Sequence, residues 1–341
     1  LYMICLQKKD IRCTYTENPS QYSFKKAREM ATELLISGKF NINDFNKTFR
    51  VISGVNLSYY EKKFVCLETG IDSTEIASIY SKAKHGSIED IKTLSEIVAK
   101  KFITEVEDNN SELSVAFKSY TEEESLVLIT PGLRNVPSAA NIIFKHALEK
   151  INTYLAENNY QTIINVNLPR LDKPVHNYAS LSLCEREQIS KTRDHVLPDE
   201  SFYKNRKVHV FFGDDVLITG ATNDKVIASA LSHKAASFYS IFAVVIDPII
   251  CSINPEIEYA LNYCEFGDNI SNEFIDFMNL PEMTPVMKSF NIILDEKNLA
   301  ELRQKICLFN KAALKKIYIA GLSNGFKSNP IFSKSLALLR D

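Results

Sequence analysis

An apolar run that ends in two carboxylates constrains this chain more than any other feature. The run is Val208-His-Val-Phe-Phe-Gly213, and Asp214 and Asp215 follow it directly. A turn of small residues, Thr219-Gly220-Ala221-Thr222, comes next and leads into a helical pattern. This order predicts a strand, then acids and a tight turn, then a helix. Because open α/β sheets bind ligands outside the carboxyl ends of their strands, we expect a ligand site here.

The turn has the chemistry of a phosphate cradle. A phosphate needs several backbone N–H groups aimed at one point, and a tight turn at a helix N-terminus supplies them. Gly220 and Ala221 would keep the backbone close to the ligand, while the hydroxyls of Thr219 and Thr222 could donate to phosphate oxygens. Thr222 or Asn223 could also cap the helix. The two carboxylates before the turn suit the vicinal hydroxyls of a ribose, or Mg²⁺, which prefers oxygen ligands.

Residues 208–222 resemble the phosphoribosyl pyrophosphate (PRPP) signature of type I phosphoribosyltransferases. The match is an apolar strand, an acid pair, two apolar residues and then Ile218-Thr219-Gly220-Ala221-Thr222. The resemblance implies that Asp214 and Asp215 contact the ribose hydroxyls and take part in catalysis, and that residues 218–222 hold the 5′-phosphate. It also implies Mg²⁺ as the cofactor, with Asp214 and Asp215 as its protein ligands. Gly213 departs from the family, which usually has an apolar residue there, and this departure concerns packing rather than chemistry.

An upstream loop takes the place of the family's diphosphate loop. Thr130-Pro-Gly-Leu-Arg-Asn-Val-Pro137 follows a short apolar run and precedes a helical pattern that starts near Ser138. Arg134 is the main candidate, because a guanidinium can pair two diphosphate oxygens at once. A solvent-exposed loop arginine is the alternative. The full set of candidates for the diphosphate loop is Gly132, Leu133, Arg134 and Asn135.

A polar insertion of about forty residues separates the second and third predicted strands, which is long for an ordinary connection. By resemblance, residues 171–200 would form a mobile lid that excludes water and neutralises the departing diphosphate. The lid candidates are the cations Arg186, Lys191 and Arg193, of which Arg193 is the catalytic candidate. Their alternation with acids fits a solvated helix almost as well. His176 and His195 could serve as acid or base.

The predicted organisation has three regions. Residues 1–112 form an N-terminal helical region, with helices from Ser23, over Ser58–Glu68 and after an N-cap at Ser87. Residues 113–252 form an α/β core, and residues 253–341 a mostly helical C-terminal region with a further strand over 290–294. The strands predicted in the core are 126–130, 162–168, 208–213 and 241–247. Because they are apolar nearly throughout and alternate with helices, they predict a Rossmann-like, parallel twisted sheet covered on both faces, as in type I phosphoribosyltransferases.

Composition limits the function classes. The formal net charge of −2 argues against a general nucleic-acid or membrane-surface binder. The longest apolar run, residues 240–250, is too short to span a bilayer. Seven scattered cysteines without a C-x-x-C pair suit a reducing compartment, so we expect a cytoplasmic protein. The chain does not begin with Met, so its true start is expected at Met3 or outside this numbering. His85, beside Gly86, is predicted to be a solvated turn residue.

The leading hypothesis is a PRPP-dependent phosphoribosyltransferase that releases diphosphate and transfers the 5-phosphoribosyl group to an unknown acceptor, by resemblance a nitrogenous base. The alternative is a PRPP- or nucleotide-sensing regulator on the same fold that has lost turnover. A phospho-receiver module, with the acid pair and Asp247, is a third hypothesis, although it explains neither the turn nor the insertion. The resemblance is also compatible with a homodimer, and neither a membrane nor a nucleic-acid partner is expected.

Overall fold

Long apolar segments build a central sheet of six strands. In the computed structural model the described residues are 50–67, 73–170, 197–204, 206–254 and 256–340, together with Ile42 and Asn46. The strands are β1 Val51–Tyr60, β2 Lys63–Cys66, β3 Ser125–Leu133, β4 Ile163–Pro169, β5 Val208–Leu217 and β6 Ser237–Ile246. Their order is β2-β1-β6-β5-β3-β4. Only the β1–β2 pair is antiparallel. The predicted α/β class with a mostly parallel, Rossmann-like sheet is confirmed.

Thirteen α-helices lie among the described residues. They are α1 Ser73–His85, α2 Ile88–Glu107, α3 Glu112–Ser119, α4 Ala139–Glu157, α5 Glu200–Tyr203, α6 Ala221–Ser232, α7 Pro248–Ile253, α8 Ile257–Asn262, α9 Asn272–Met278, α10 Met287–Ile293, α11 Leu299–Lys305, α12 Lys311–Ser323 and α13 Ser333–Leu338. Helices α1 to α4 pack with one face of the sheet, and α6 packs with the other. A third apolar cluster is formed largely by the C-terminal helices. None of the helices in the described ranges is long and apolar enough to cross a membrane.

The helix predicted over Ser58–Glu68 is wrong, because this segment belongs to a β-hairpin. Strand β1 pairs in parallel with β6, and β2 folds back onto β1 through a turn at Glu61 and Lys62, both of which have positive φ. The apolar spacing of this short segment suits either element, and pairing with distant β6 decides between them. The sheet therefore takes two strands from the predicted N-terminal helical region. The division of the chain at residues 112 and 252 stays a prediction, and the helix predicted from Ser23 lies outside the described residues.

The strand predicted over 290–294 is also wrong. Residues Met287–Ile293 form helix α10, which buries Phe290, Ile292 and Ile293. Five consecutive apolar or amide residues cannot by themselves distinguish a strand from a buried helix. By contrast, the predicted N-cap at Ser87 is confirmed, since its hydroxyl accepts a hydrogen bond from Asp90 N.

His85 is buried, so its prediction as a solvated turn residue is wrong. It is the last residue of α1, and its ring lies 5.7 to 5.9 Å from the rings of Tyr263, Phe266 and Phe274. Its Nδ1 lies 2.8 Å from the carbonyl oxygen of Ser81. Burial lowers the pKa of His85 to about 3, which keeps the imidazole neutral. The C-terminal helices that cover it are distant in sequence, so local composition gave no warning.

Gly213 is explained by the packing of α4 against β5. A Cβ atom at this position would lie 2.6 Å from Cδ1 of Phe144 on α4. Only glycine therefore allows the aromatic ring to approach the strand so closely. The departure from the family pattern is thus a matter of packing, as expected.

Candidate functional site

A cavity of about 180 Å³ opens at the carboxyl edge of the sheet, where β5 meets the first turn of α6. Its lining combines the acid pair, the small-residue turn and side chains from other elements. The lining residues are Lys84, Pro131, Gly132, Ser138, Arg170, Asp214, Asp215, Val216, Leu217, Ile218, Thr219, Gly220, Ala221, Thr222, Asn223, Phe242 and Glu258. All seven of the predicted residues between Asp214 and Thr222 that should contact PRPP therefore line one cavity.

The turn between β5 and α6 is built around Gly220. Gly220 has φ 68°, the left-handed region that favours glycine, and it stands at the N-cap of α6. No side chain caps the helix there, so the expected capping by Thr222 or Asn223 is not found. The N-terminus of α6 instead faces the cavity with the positive end of its dipole, which favours an anion. The geometry thus suits a phosphate group.

The strand does not end before the acids, as predicted, but continues through them to Leu217. Asp214 is half-buried and Asp215 is 4% exposed. One carboxylate oxygen of Asp214 accepts a hydrogen bond of 2.8 Å from the backbone N–H of Asp215. Burial raises the pKa of Asp214 well above its usual range, and the adjacent charge of Asp215 raises it further. The acid pair is therefore costly to keep ionised in the absence of a cation.

Lys84 supplies such a cation, and the sequence analysis missed it. It lies in the last turn of α1, and its ammonium pairs with Oδ2 of Asp215, 131 residues away. Burial alone would lower the pKa of Lys84, but the charges of Asp215 and Glu258 raise it. The Lys84 ammonium also lies 5.7 Å from the centre of the buried Tyr80 ring. The only sequence signal for Lys84 is indirect, because a buried carboxylate needs a positive partner.

Of the four candidates in the predicted diphosphate loop, only Gly132 lines the cavity, together with Pro131 of the same loop. Leu133 is paired with Pro169 at the end of the β3–β4 ladder. Arg134 is exposed and its guanidinium carbon would lie 3.4 Å from a Cβ atom at Gly325. The backbone N–H of Asn135 donates to Oδ1 of Asn324. Asn135 is therefore bonded to the C-terminal region, Arg134 lies beside that region, and neither lines the cavity.

Arg170 is a second cation at the cavity that the sequence analysis missed. It follows β4 directly, and its backbone N–H donates to the carbonyl of Leu133 at 2.9 Å. The carboxyl ends of parallel neighbours β3 and β4 meet at one edge, so Arg170 reaches the site that was expected for Arg134. The available signal was an arginine two residues after the predicted strand 162–168.

The start of α4 fixes the end of β3 beside the cavity. Ser138 caps α4 in a reciprocal capping box with Asn141, as the predicted start of this helix requires. The Asn141 amide also donates to the hydroxyl of Thr130 and to the carbonyl of Pro131, both at 2.9 Å. Helix and strand end are therefore joined by side-chain hydrogen bonds.

Several other candidates can be placed. The lid candidates Arg186, Lys191 and Arg193, with His176 and His195, lie outside the described residues. Asp247 caps α7 by accepting from Ile249 N and does not line the cavity, which gives the phospho-receiver hypothesis no support. Within the described ranges no group of three or more His, Cys, Asp or Glu side chains is arranged to hold a metal ion.

Comparison with known proteins gives one match. The family model described as PRTase ComF-like, that is, ComF-like phosphoribosyltransferases, matches residues 74–339. No curated protein and no solved structure shows significant similarity to the chain. The matched range includes every described residue that lines the cavity.

Proposed function

Because the chain belongs to the ComF-like phosphoribosyltransferase family, we propose that it binds PRPP and transfers its 5-phosphoribosyl group to a nitrogenous acceptor, with release of diphosphate. The observation that carries the proposal is the single cavity that contains both the acid pair and the turn at the start of α6. A strand edge with these two features offers a place for a ribose and for the phosphate on its 5′ carbon.

The 5′-phosphate is assigned to the turn. Residues 218–222 line the cavity, and the left-handed Gly220 directs the start of α6 toward it. Backbone N–H groups of the first turn, together with the hydroxyls of Thr219 and Thr222, would hold the phosphate oxygens. Larger side chains at Gly220 or Ala221 would occupy the space that the phosphate needs.

The ribose hydroxyls are assigned to Asp214 and Asp215, which can each accept a hydrogen bond from one hydroxyl. The same carboxylates fit Mg²⁺, because they present only oxygen donors and because burial and mutual repulsion, which raise the pKa of Asp214, favour a cation beside the pair. Mg²⁺ held there would neutralise the acids and the substrate's phosphates.

The diphosphate is assigned to Arg170, the other cation besides Lys84 among the described residues that line the cavity. A guanidinium can pair two diphosphate oxygens at once. Departure of the diphosphate breaks its bond to carbon 1 of the ribose, whose developing positive charge is shared with the ring oxygen. A nitrogen of the acceptor then forms the new bond, so that the side chains contribute by position and charge rather than by strong base catalysis.

Calorimetric titration with PRPP and Mg²⁺ tests the proposal. We expect the wild-type chain to bind, and Asp214→Asn and Asp215→Asn to lose most of the affinity. Asp276→Asn, an exposed position on α9, is the matched control and should bind like the wild type. Absence of binding by the wild-type protein would refute the proposal.

A sensor without turnover is the second candidate, and one observation favours it. Asn135 is hydrogen-bonded to the C-terminal region and Arg134 lies beside it. Two residues of the loop that should contact the diphosphate therefore do not line the cavity. Diphosphate release, measured with a panel of nucleobases as acceptors, separates the two. Binding of PRPP without release for any acceptor would favour the sensor.

Two further expectations stay predictions. The cytoplasmic location is based on the use of cysteine, and the homodimer on the resemblance to type I enzymes.

A further inference from the structure

The acid pair lies where β5 loses its regular alternation of side chains between the two faces of the sheet. Phe211 and Val216, which strict alternation would place on opposite faces, both pack in the cluster that includes α1 and α4. Asp215 is directed toward α1, because its carboxylate pairs with Lys84 there.

Helix α1 is tied to the C-terminal region beside the place where Lys84 meets Asp215. The neighbours of Lys84 along α1 are anchored from the C-terminal region: the Ser81 hydroxyl donates to the carbonyl of Asn262 at 2.8 Å, and the Ser289 hydroxyl donates to the carbonyl of His85. The Lys84 side chain is only 17% exposed and that of Asp215 only 5%. A charged pair so far removed from water is strongly coupled, because little solvent screens it.

We propose that Lys84 is a positioning residue of the PRPP site: its ammonium holds Oδ2 of Asp215, fixes the orientation of that carboxylate for the ribose, and acts as the resident counter-ion of the acid pair. The proposal rests on the proposed function for the ligand, but the counter-ion role does not. The phosphoribosyl site would thereby combine the family motif with a residue of α1, which lies far upstream of the motif in the sequence.

Two consequences distinguish this role from a purely structural one. Without Lys84, Asp215 loses its orientation and PRPP affinity should fall. At the same time, the acid pair loses its competing cation, so affinity for Mg²⁺ alone should rise. A merely destabilised protein would not gain affinity for a cation.

The experiment uses the full chain with Lys84→Met, Lys84→Gln and Lys84→Arg, and Lys82→Met as the matched control. Lys82 lies in the same helix turn but pairs with Glu265 and does not line the cavity. The two neutral variants are alternatives, so that a folding defect in one, detected by circular dichroism, leaves the other to decide.

The first measurement is calorimetric titration with Mg²⁺ alone. The neutral variants should bind Mg²⁺ about fivefold more tightly than the wild type or more, whereas Lys82→Met should not differ. Equal or weaker Mg²⁺ binding by a folded neutral variant overturns the counter-ion role, whether or not PRPP binds.

The second measurement is PRPP affinity at saturating Mg²⁺. The neutral variants should bind at least about tenfold more weakly, and Lys84→Arg, which keeps the charge, within about threefold of the wild type. Neutral variants that bind PRPP like Lys82→Met overturn the positioning role. If even the wild type fails to bind PRPP, the proposed function is refuted. The Mg²⁺ titration then still tests the counter-ion role of Lys84.

Discussion

At the scale of single residues, the site is defined by unequal environments of adjacent acids. Asp215 is nearly inaccessible and paired with Lys84, whereas Asp214 is half-buried and accepts the N–H of its neighbour. The continuation of β5 through both acids to Leu217 keeps the pair within the sheet, where Asp215 meets Lys84 on α1.

Asp214→Asn should stabilise the unliganded protein at neutral pH while abolishing most PRPP binding. The folded-state pKa of Asp214 lies above the unfolded value, because burial and the charge of Asp215 disfavour ionisation. As pH rises, the unfolded chain loses this proton first, so the wild type loses stability from about pH 4 upward until the raised pKa is passed. Urea unfolding at pH 8 should show a gain of about 1 kcal/mol or more in the variant.

The gain should disappear at pH 3, where the carboxyl is protonated in both states. Asp276→Asn serves as the control and should change the free energy of unfolding by less than about 0.5 kcal/mol at either pH. A variant no more stable than the wild type at pH 8 would contradict the raised pKa.

His85 should weaken the protein in acid. Its pKa is about 3 in the folded state, below the ordinary 6.5, so the unfolded chain binds a proton first as pH falls. Stability should therefore fall between about pH 6.5 and pH 3, by on the order of 4 kcal/mol if no other group compensates. His85→Phe keeps a ring among the surrounding aromatic side chains and should remove most of this loss of stability in acid. Urea unfolding at several pH values measures the free energy of unfolding for both proteins.

His146→Gln is the control for the loss of stability in acid, because His146 lies on the surface of α4 beside Glu149. It should leave this loss nearly unchanged. If the free energy of unfolding falls equally with decreasing pH in the wild type and in His85→Phe, another group is responsible.

At the scale of elements, β5 is positioned by close packing against α4. The ring of Phe144 leaves no room for a side chain at Gly213. Gly213→Ala should cost about 1–3 kcal/mol in the free energy of unfolding through overpacking. Phe144→Leu should destabilise the wild type yet partly rescue Gly213→Ala, and urea unfolding of the double-mutant cycle measures this coupling. Additive effects of the two substitutions would contradict the contact.

The turn between β5 and α6 also depends on its glycine. Because Gly220 has φ 68°, Gly220→Ala should cost about 1–2 kcal/mol of stability from left-handed strain. It should in addition weaken PRPP binding, since a methyl group would stand where the phosphate approaches. The exposed Gly267 is also at positive φ, and a Cβ there would make only an ordinary contact of 3.7 Å with Oδ1 of Asn269. The control Gly267→Ala should therefore be strained without loss of PRPP affinity. Equal PRPP affinity of Gly220→Ala and the wild type would contradict the assignment of the 5′-phosphate to this turn.

At the scale of the whole molecule, the C-terminal region is tied to the core beside the cavity. Oδ1 of Asn324, which is 3% exposed, accepts the backbone N–H groups of Asn135 at 3.1 Å and Val136 at 3.2 Å. Asn324→Ala leaves two donors without this acceptor and should cost about 2–4 kcal/mol. Hydrogen exchange should then increase at residues 135–136. Asn110→Ala, in an exposed loop, should cost less than about 0.5 kcal/mol.

A single unfolding transition that shifts as a whole in Asn324→Ala would show that core and C-terminal region unfold together. A separate early transition of the C-terminal helices, with the core unaffected, would contradict the coupling that these hydrogen bonds indicate.

The sequence by itself determined the sheet class, the β5-turn-α6 unit and the residues from Asp214 to Thr222, because all of these follow from local order: apolar runs, acids, a small-residue turn and a helix start. Only the tertiary structure decided what joins them. Pairing with β6 made a strand of residues predicted to be helical, and the helices that cover His85 buried it. Lys84 and Arg170 reach the cavity from elements that are remote in sequence, whereas Arg134 lies beside Gly325 and does not line the cavity. The physical reason is that burial and charge pairing act across the fold, between groups that no spacing along the chain relates.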